Sequence, residues 1–354
     1  MGVAGGVAVG GTASAAAQGT AVHYQPAVNG FGDVGGPSFG GGALGRGGHS
    51  GRSTAPTTAT SAQQAGIVDI TSVLGYQNAE AAGTGMILTS DGEVLTNNHV
   101  IDGATSITVT VVSTGGSYTA TVVGTAPTAD VAVLQLDNAT GLTTAALSSS
   151  PATVGEAVTA VGDAGGTGTL TAAAGTVTAL DQAITATDSR GGNAEQLSGL
   201  VETNAGVQPG DSGGPLYDAA GTIVGLDTAA SGGGAVQAYA IPISTAAQIA
   251  ARIERGVTSP TIQQGYRAFL GVSVGDGQGG ATVLGVVADG PAAQAGVTAG
   301  DVITAIDGQA VTSAGNLPAA LARHSPGQQV TVTWADTIGG AHSATVTVGT
   351  GPAR

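Results

Sequence analysis

Pro209-Gly210-Asp211-Ser212-Gly213-Gly214-Pro215-Leu216 sets a serine among small residues on a turn. A nucleophilic serine needs an exposed hydroxyl. It also needs backbone N–H groups aimed at the oxygen that turns negative when a carbonyl is attacked. Flanking glycines keep side chains out of both paths. The N–H groups of Gly210 and Ser212, with that of Asp211 between them, are candidates for that oxyanion hole. Alone, the run also fits a tight turn. Two upstream residues supply what a nucleophile lacks. His99 follows the apolar run Glu93-Val94-Leu95, and Asp130 opens Val131-Ala132-Val133-Leu134. A neutral imidazole with an unperturbed pKa of about 6.5 can take the serine proton and return it to a leaving amine. A carboxylate on its other ring nitrogen fixes the tautomer and stabilises the imidazolium. Asp91 and Asp102 lie close to His99 in sequence but in turns, so Asp130 is the better acid.

These residues need elements to carry them. From about residue 66 to 243 the chain reads as short strands separated by Gly-rich turns, with almost no helix. Ile107-Thr108-Val109-Thr110-Val111 and Tyr118-Thr119-Ala120-Thr121-Val122 alternate strictly, and Ser90-Asp91-Gly92 marks a hairpin that delivers His99. Further strand-like runs start at Val131, Ala157, Gly175 and Gly221. Such a pattern argues an all-β barrel architecture. His99 and Asp130 fall in its first half and Ser212 in its second, so the site would form in a cleft between two barrels. Ser244-Thr245 can cap a helix running to about Arg255, ended by Gly256.

The order His99, Asp130, Ser212 is that of the chymotrypsin-like hydrolases. Thr-Asn-Asn-His-Val, Asp-Val-Ala-Val-Leu and Gly-Asp-Ser-Gly-Gly-Pro-Leu resemble the three signature blocks of the HtrA family, the DegP-like trypsin-fold proteases. That family usually carries Asn before the serine. Here the residue is Asp211, a departure expected to leave the chemistry intact because the position contributes its backbone. From Tyr266 onward, Phe269-Leu270-Gly271-Val272 and Gly300-Asp301-Val302-Ile303…Ile306-Asp307-Gly308 resemble a PDZ domain of the bacterial protease type. The resemblance implies a mainly β chain. Residues 1–65 would be a low-complexity Gly/Ala-rich tail or linker, 66–258 a chymotrypsin-like double β-barrel, and 259–354 a small α+β PDZ domain.

It also implies an ATP-independent serine endopeptidase acting on unfolded or damaged extracytoplasmic proteins. Gly206, six residues before Ser212, falls where trypsin-like enzymes set primary specificity. With no acid there, and with Val207, Asp227 and Thr228 as walls, small aliphatic P1 residues are expected. Asp227 is the ambiguous member. Phe269, Leu270, Gly271 and Val272 would capture a peptide carboxylate, with the peptide added as a strand beside Val272-Ser273-Val274. Leu317, Leu321 and His324 recur at helical spacing as PDZ core or groove lining. A homotrimer is implied by resemblance alone. The rival reading is a chaperone-like or peptide-binding scaffold with weak or no proteolysis.

Composition narrows the partners. The chain has 354 residues, a formal net charge of −15 and eight basic residues, all arginine. That balance argues against nucleic acid and against electrostatic attachment to anionic membranes. There is no cysteine, which excludes disulfides, thiolate metal sites and a cysteine nucleophile. No metal or organic cofactor is expected. No apolar run reaches the roughly 18–20 residues of a membrane span. The opening Met1–Val9 lacks a basic region and reads at most as a remnant of an export signal. Residues 1–65 fit a spacer between an anchor and a catalytic head, or a tail with no specific role.

Overall fold

The computed structural model describes residues 21–23, 55–187, 195–230 and 237–353. Two closed antiparallel barrels follow one another. In the first, Ile67–Leu74, Ala79–Ile87, Glu93–Thr96, Val131–Leu136, Gly116–Ala126 and Ser106–Val111 pair around a complete ring. In the second, Ala157–Gly162, Thr171–Thr187, Glu195–Thr203, Ala238–Pro242, Ile223–Ala230 and Pro215–Asp218 close in the same way. Closure removes the unpaired sheet edges that an open β domain would expose.

Alternation decides which residues fill each barrel. Along Ser106–Val111, Ile107, Val109 and Val111 are buried while Ser106 and Thr108 face water. With so few aromatics, the first interior is filled by Val68, Ile70, Ile87, Val94, Val109 and Leu134. The second takes smaller residues, among them Ala160, Val177, Ala205, Leu216 and Ala240. A third cluster, with Met86, Leu95, Val133, Val161, Leu226 and Ile253, joins the barrels. The helix Ile243–Glu254 packs there through Ile243, Ala246, Ala250 and Ile253. Its N-cap is Pro242, two residues before the expected cap, with Ser244 already inside the helix.

The folded body starts upstream of residue 66. Thr57–Thr58 pairs with the Thr171–Thr187 strand, and Thr60 caps a short helix, Ser61–Gln64, through a reciprocal capping box with Gln63. Ala21–His23 pairs with the same long strand. The remainder of the expected tail, 1–20 and 24–54, lies outside the described residues. Past residue 258, Gln263–Gln264 still adds an edge strand to the first barrel, and Ile262 is buried in the inter-barrel cluster.

The last part is a small α+β unit. Val272–Gly277, Gly280–Val286, Val302–Ile306, Gln329–Ala335 and Ala341–Thr347 form its sheet, with Pro291–Ala295 and Asn316–Leu321 as helices. The chain then returns to the first barrel. Gly349–Thr350 pairs with Ala268–Phe269, and Ala353 is buried among first-barrel residues. Ala353 accepts from Gly103 N–H at 2.7 Å and donates to the Ala104 carbonyl at 2.8 Å.

Candidate active site

His99 lies not on a strand but in the first turn of a short helix, Asn98–Ile101, that leaves the Glu93–Thr96 strand. Val100 and Ile101 anchor this helix in the first-barrel core. Asp130 follows a 3-10 turn, Pro127–Ala129, and adopts the left-handed region at φ 52° before the Val131–Leu136 strand begins. Aspartate tolerates that conformation better than bulky residues. The turn aims its carboxylate at the histidine. His99 Nδ1 is 2.9 Å from Asp130 Oδ2 and 3.1 Å from Oδ1. The backbone N–H of His99 donates to the same Oδ1 at 3.0 Å. The Thr228 hydroxyl donates to Asp130 Oδ2, and the Asn97 amide holds the Asp130 carbonyl at 2.9 Å. Asp130 is fully buried, so this set of donors is what keeps a carboxylate tenable there.

Ser212 comes from the other barrel, in the turn before Pro215–Asp218. It is 7% exposed, and its hydroxyl donates to the Thr228 carbonyl at 3.4 Å. Thr228 therefore contacts both the acid and the serine. The sequence marks it only as a pocket wall; in the fold its hydroxyl is committed to Asp130. Thr84 was missed altogether. Its N–H donates to the Ser212 carbonyl at 2.8 Å, and its hydroxyl donates to the Gly210 carbonyl at 2.8 Å while accepting from Asp163 N–H at 3.0 Å. Thr96 holds the Thr84 carbonyl in turn, at 2.8 Å. Nothing local marks either threonine among the many in this chain; each acts across a long sequence gap.

The glycines around Ser212 are demanded by space as well as by conformation. Gly210 has φ +101°, and a Cβ there would lie 2.1 Å from the Asp163 carbonyl oxygen. At Gly213, φ +84°, a Cβ would lie 2.0 Å from the Thr84 carbonyl oxygen. Both turns therefore exclude any L side chain. Among the described residues the N–H groups of Gly210 and Ser212 donate to no acceptor, which leaves them available to an oxyanion. Asp211 differs from expectation. Its N–H already donates to the Gln208 carbonyl at 3.0 Å, because residues 208–211 form a tight turn. Its side chain, expected to be of little consequence, is 3% exposed. Burial pushes that carboxyl up to about 7.

Around the expected pocket, Gly206 is half-buried, and a Cβ built there meets only Ala173 Cβ, at 3.8 Å. Val207 packs into the second-barrel core. Asp227 is fully buried, and burial with the nearby Asp211 charge raises it well above the carboxylate range. In the PDZ unit, Gly271 has φ +81°, and the N–H groups of Leu270 and Gly271 donate to no acceptor among the described residues. They border a cavity of about 230 Å³ with Phe269, Val272, Val274, Leu317 and Leu321. Leu317 and Leu321 are thus both core and groove. His324 lies instead on a separate cavity, 3.6 Å from Asp307. The Phe269 ring meets Tyr76 of the first barrel at 5.2 Å between centroids. Among the described residues no group of three His, Asp or Glu is placed to share a metal ion. None of the described helices is long and apolar enough to cross a membrane.

Comparison with known proteins agrees with both halves. Residues 83–226 match the trypsin-like peptidase domain, and residues 268–335 match the PDZ domain. Serine protease PepD of Mycobacterium tuberculosis is 34% identical over 306 residues, 80% of this chain and 63% of that protein. A probable periplasmic serine endoprotease, DegP-like, of Brucella suis is 34% identical over 274 residues, 73% of this chain and 51% of that protein. The chain thus spans between about half and two thirds of these relatives' length. Among solved structures, the HtrA-type protease AlgW with a decapeptide is 27% identical, with a TM-score of 0.47 over 83% of this chain and 99% of that one. With a trypsin-like peptidase domain followed by one PDZ domain, the chain belongs to the HtrA/DegP-like trypsin-fold serine proteases.

Proposed function

We propose that the chain is an ATP-independent serine endopeptidase that cleaves unfolded or damaged extracytoplasmic proteins by acyl transfer. Ser212 is the nucleophile, His99 the general base and then acid, and Asp130 the orienting carboxylate. The observation that carries this reading is the His99–Asp130–Thr228–Ser212 network, assembled from both barrels. His99 would take the Ser212 proton as the hydroxyl attacks the scissile carbonyl, then give it to the leaving amine. The Gly210 and Ser212 N–H groups would stabilise the tetrahedral oxyanion. The 3.4 Å Ser212 contact to the Thr228 carbonyl describes a resting hydroxyl, and catalytic hydrogen bonds commonly tighten only with substrate bound.

Small aliphatic P1 residues are the proposed preference, supported by the open space at Gly206 and the apolar Val207 beside it. The cavity at Phe269–Val272 is the proposed seat for a peptide C-terminus, which would tether substrate or activate the protease. An extracytoplasmic location rests on relatives named periplasmic, and a homotrimer on family resemblance. The test is degradation of denatured casein, with a PDZ-binding peptide present, beside labelling by a fluorophosphonate probe. Wild type should label and degrade; Ser212→Ala should do neither. Equal behaviour of the two proteins refutes the protease reading and favours a peptide-binding scaffold.

A further inference from the structure

Two buried acids flank the site without a cation. Asp211 lies between Gly210 and Ser212, and Asp227 immediately precedes Thr228. Their segments are joined by Gly213 N–H to the Asp227 carbonyl at 2.8 Å and Asp227 N–H to the Gly214 carbonyl at 2.9 Å. The Asp211 carboxyl is pressed against the Ala157–Gly162 strand, where a Cβ on Gly162 would lie 2.7 Å from its Oδ1. Asp211 Oδ2 accepts from Gln208 N–H at 2.8 Å. Asp211 Oδ1 and both oxygens of Asp227 have no hydrogen-bond partner among the described residues.

The groups around the pair do not supply a charge to balance it. Asp163, in the loop beyond Gly162, adds further negative charge near Asp211; its carboxylate accepts from Thr167 and Gly168 N–H groups. Asp69 lies beyond Asp163. The strands flanking Asp227 carry Tyr217 and Tyr239, which pack in the inter-barrel cluster, and Asp218, which accepts from Thr222. Asp130, next along from Thr228, is engaged by His99 and Thr228. Among the described residues, no Arg or His forms an ion pair with Asp211 or Asp227.

An unpaired buried carboxylate is costly, and two near each other cannot both ionise cheaply. A proton on the pair removes one charge and supplies one donor where three oxygens are orphaned. We propose that Asp211 and Asp227 are positioning residues that share a retained proton, and that this proton holds the Gly210–Ser212 turn in its reactive geometry. Deprotonation at alkaline pH then drives like charges apart beneath the nucleophile and loosens the turn. The proposal rests on the protease reading and adds an upper pH limit to it. The raised positions of both carboxyls are consistent with it. The sign follows: the folded protein keeps a proton that the unfolded chain releases, so stability falls as pH rises above the ordinary carboxylate range toward about 7 and beyond.

Asp211→Asn and Asp227→Asn are near-isosteric and cannot ionise. The experiment measures kcat/KM on a fluorogenic peptide, the fluorophosphonate labelling rate and the melting temperature from about pH 6 to pH 10 for wild type and both variants. Wild type should lose activity on the alkaline side, by up to about tenfold per pH unit. In each Asn variant the ratio of activity at high pH to activity at neutral pH should rise. The acid limb should stay in place. The melting temperature should depend less on pH in both variants. Alkaline limbs and melting profiles of folded Asn variants that superimpose on wild type overturn the proposal. Absence of probe labelling in wild type at every pH refutes the protease reading instead. In that event the melting profiles alone still decide whether the pair titrates.

Discussion

Gly210→Ala isolates the backbone geometry of the serine turn. The methyl group would be built 2.1 Å from the Asp163 carbonyl oxygen and 3.0 Å from Gly165 N, on a residue with φ +101°. Those partners are backbone atoms and cannot swing away as a side-chain end would. The Gly210 carbonyl is meanwhile held by Thr84, and Gly165 N–H by the Pro209 carbonyl at 2.8 Å, so neither side of the contact is loose. Relief therefore requires the Gly210 peptide to move by on the order of 1 Å, a displacement that can cost about 10²-fold in rate. If the Gly210 N–H is lost to the oxyanion, the cost is about 10²–10³ in kcat, or roughly 3–4 kcal/mol. The conformational penalty adds about 1–3 kcal/mol to the native state. The assay is kcat on a fluorogenic peptide, with probe labelling and a thermal melt alongside. A variant with a lowered melting temperature that is still folded, labels slowly and turns over at least about 10²-fold less fits the argument. A variant with kcat within about threefold of wild type would show that Gly210 contributes no oxyanion donor.

Two further changes test neighbouring links. Thr228→Val keeps the shape but removes one donor from the buried Asp130 carboxylate; a charge-assisted hydrogen bond of about 1.5–3 kcal/mol corresponds to a fall in kcat/KM of roughly 10–100-fold. An unchanged kcat/KM in a folded variant would refute that role. Asp69, raised to about 7 by burial and by Asp163, should cost the fold stability as pH rises toward 7. Asp69→Asn should therefore flatten the decline in melting temperature between acid and neutral pH, and an unaltered slope would count against it.

Legibility in the sequence followed contiguity. Five- to seven-residue blocks around His99, Asp130 and Ser212 carried the candidate triad because each is a local turn that positions one group. Strict alternation at Ile107–Val111 carried a barrel strand because one face must be buried. The burial of the Asp211 side chain is not legible in the sequence, because a motif describes a backbone role and says nothing of where a side chain is buried. The start of the folded body was misjudged at residue 66 because a two-residue strand and a one-turn helix at 57–64 have too short a period to stand out.

By itself the sequence determined a mainly β, two-barrel trypsin-like unit followed by a PDZ unit, since its motifs occur in a fixed order and its apolar alternation favours strands over most of the first unit. Tertiary structure alone decided that Thr228 reaches Asp130 across 98 residues and Thr84 reaches Gly210 across 126. It also decided that the Asp211 and Asp227 side chains are both buried, and that Ala353 is buried in the first barrel. These contacts join residues whose separation carries no periodic signal. They follow from which strands close each barrel and from the polar groups that closure leaves inside.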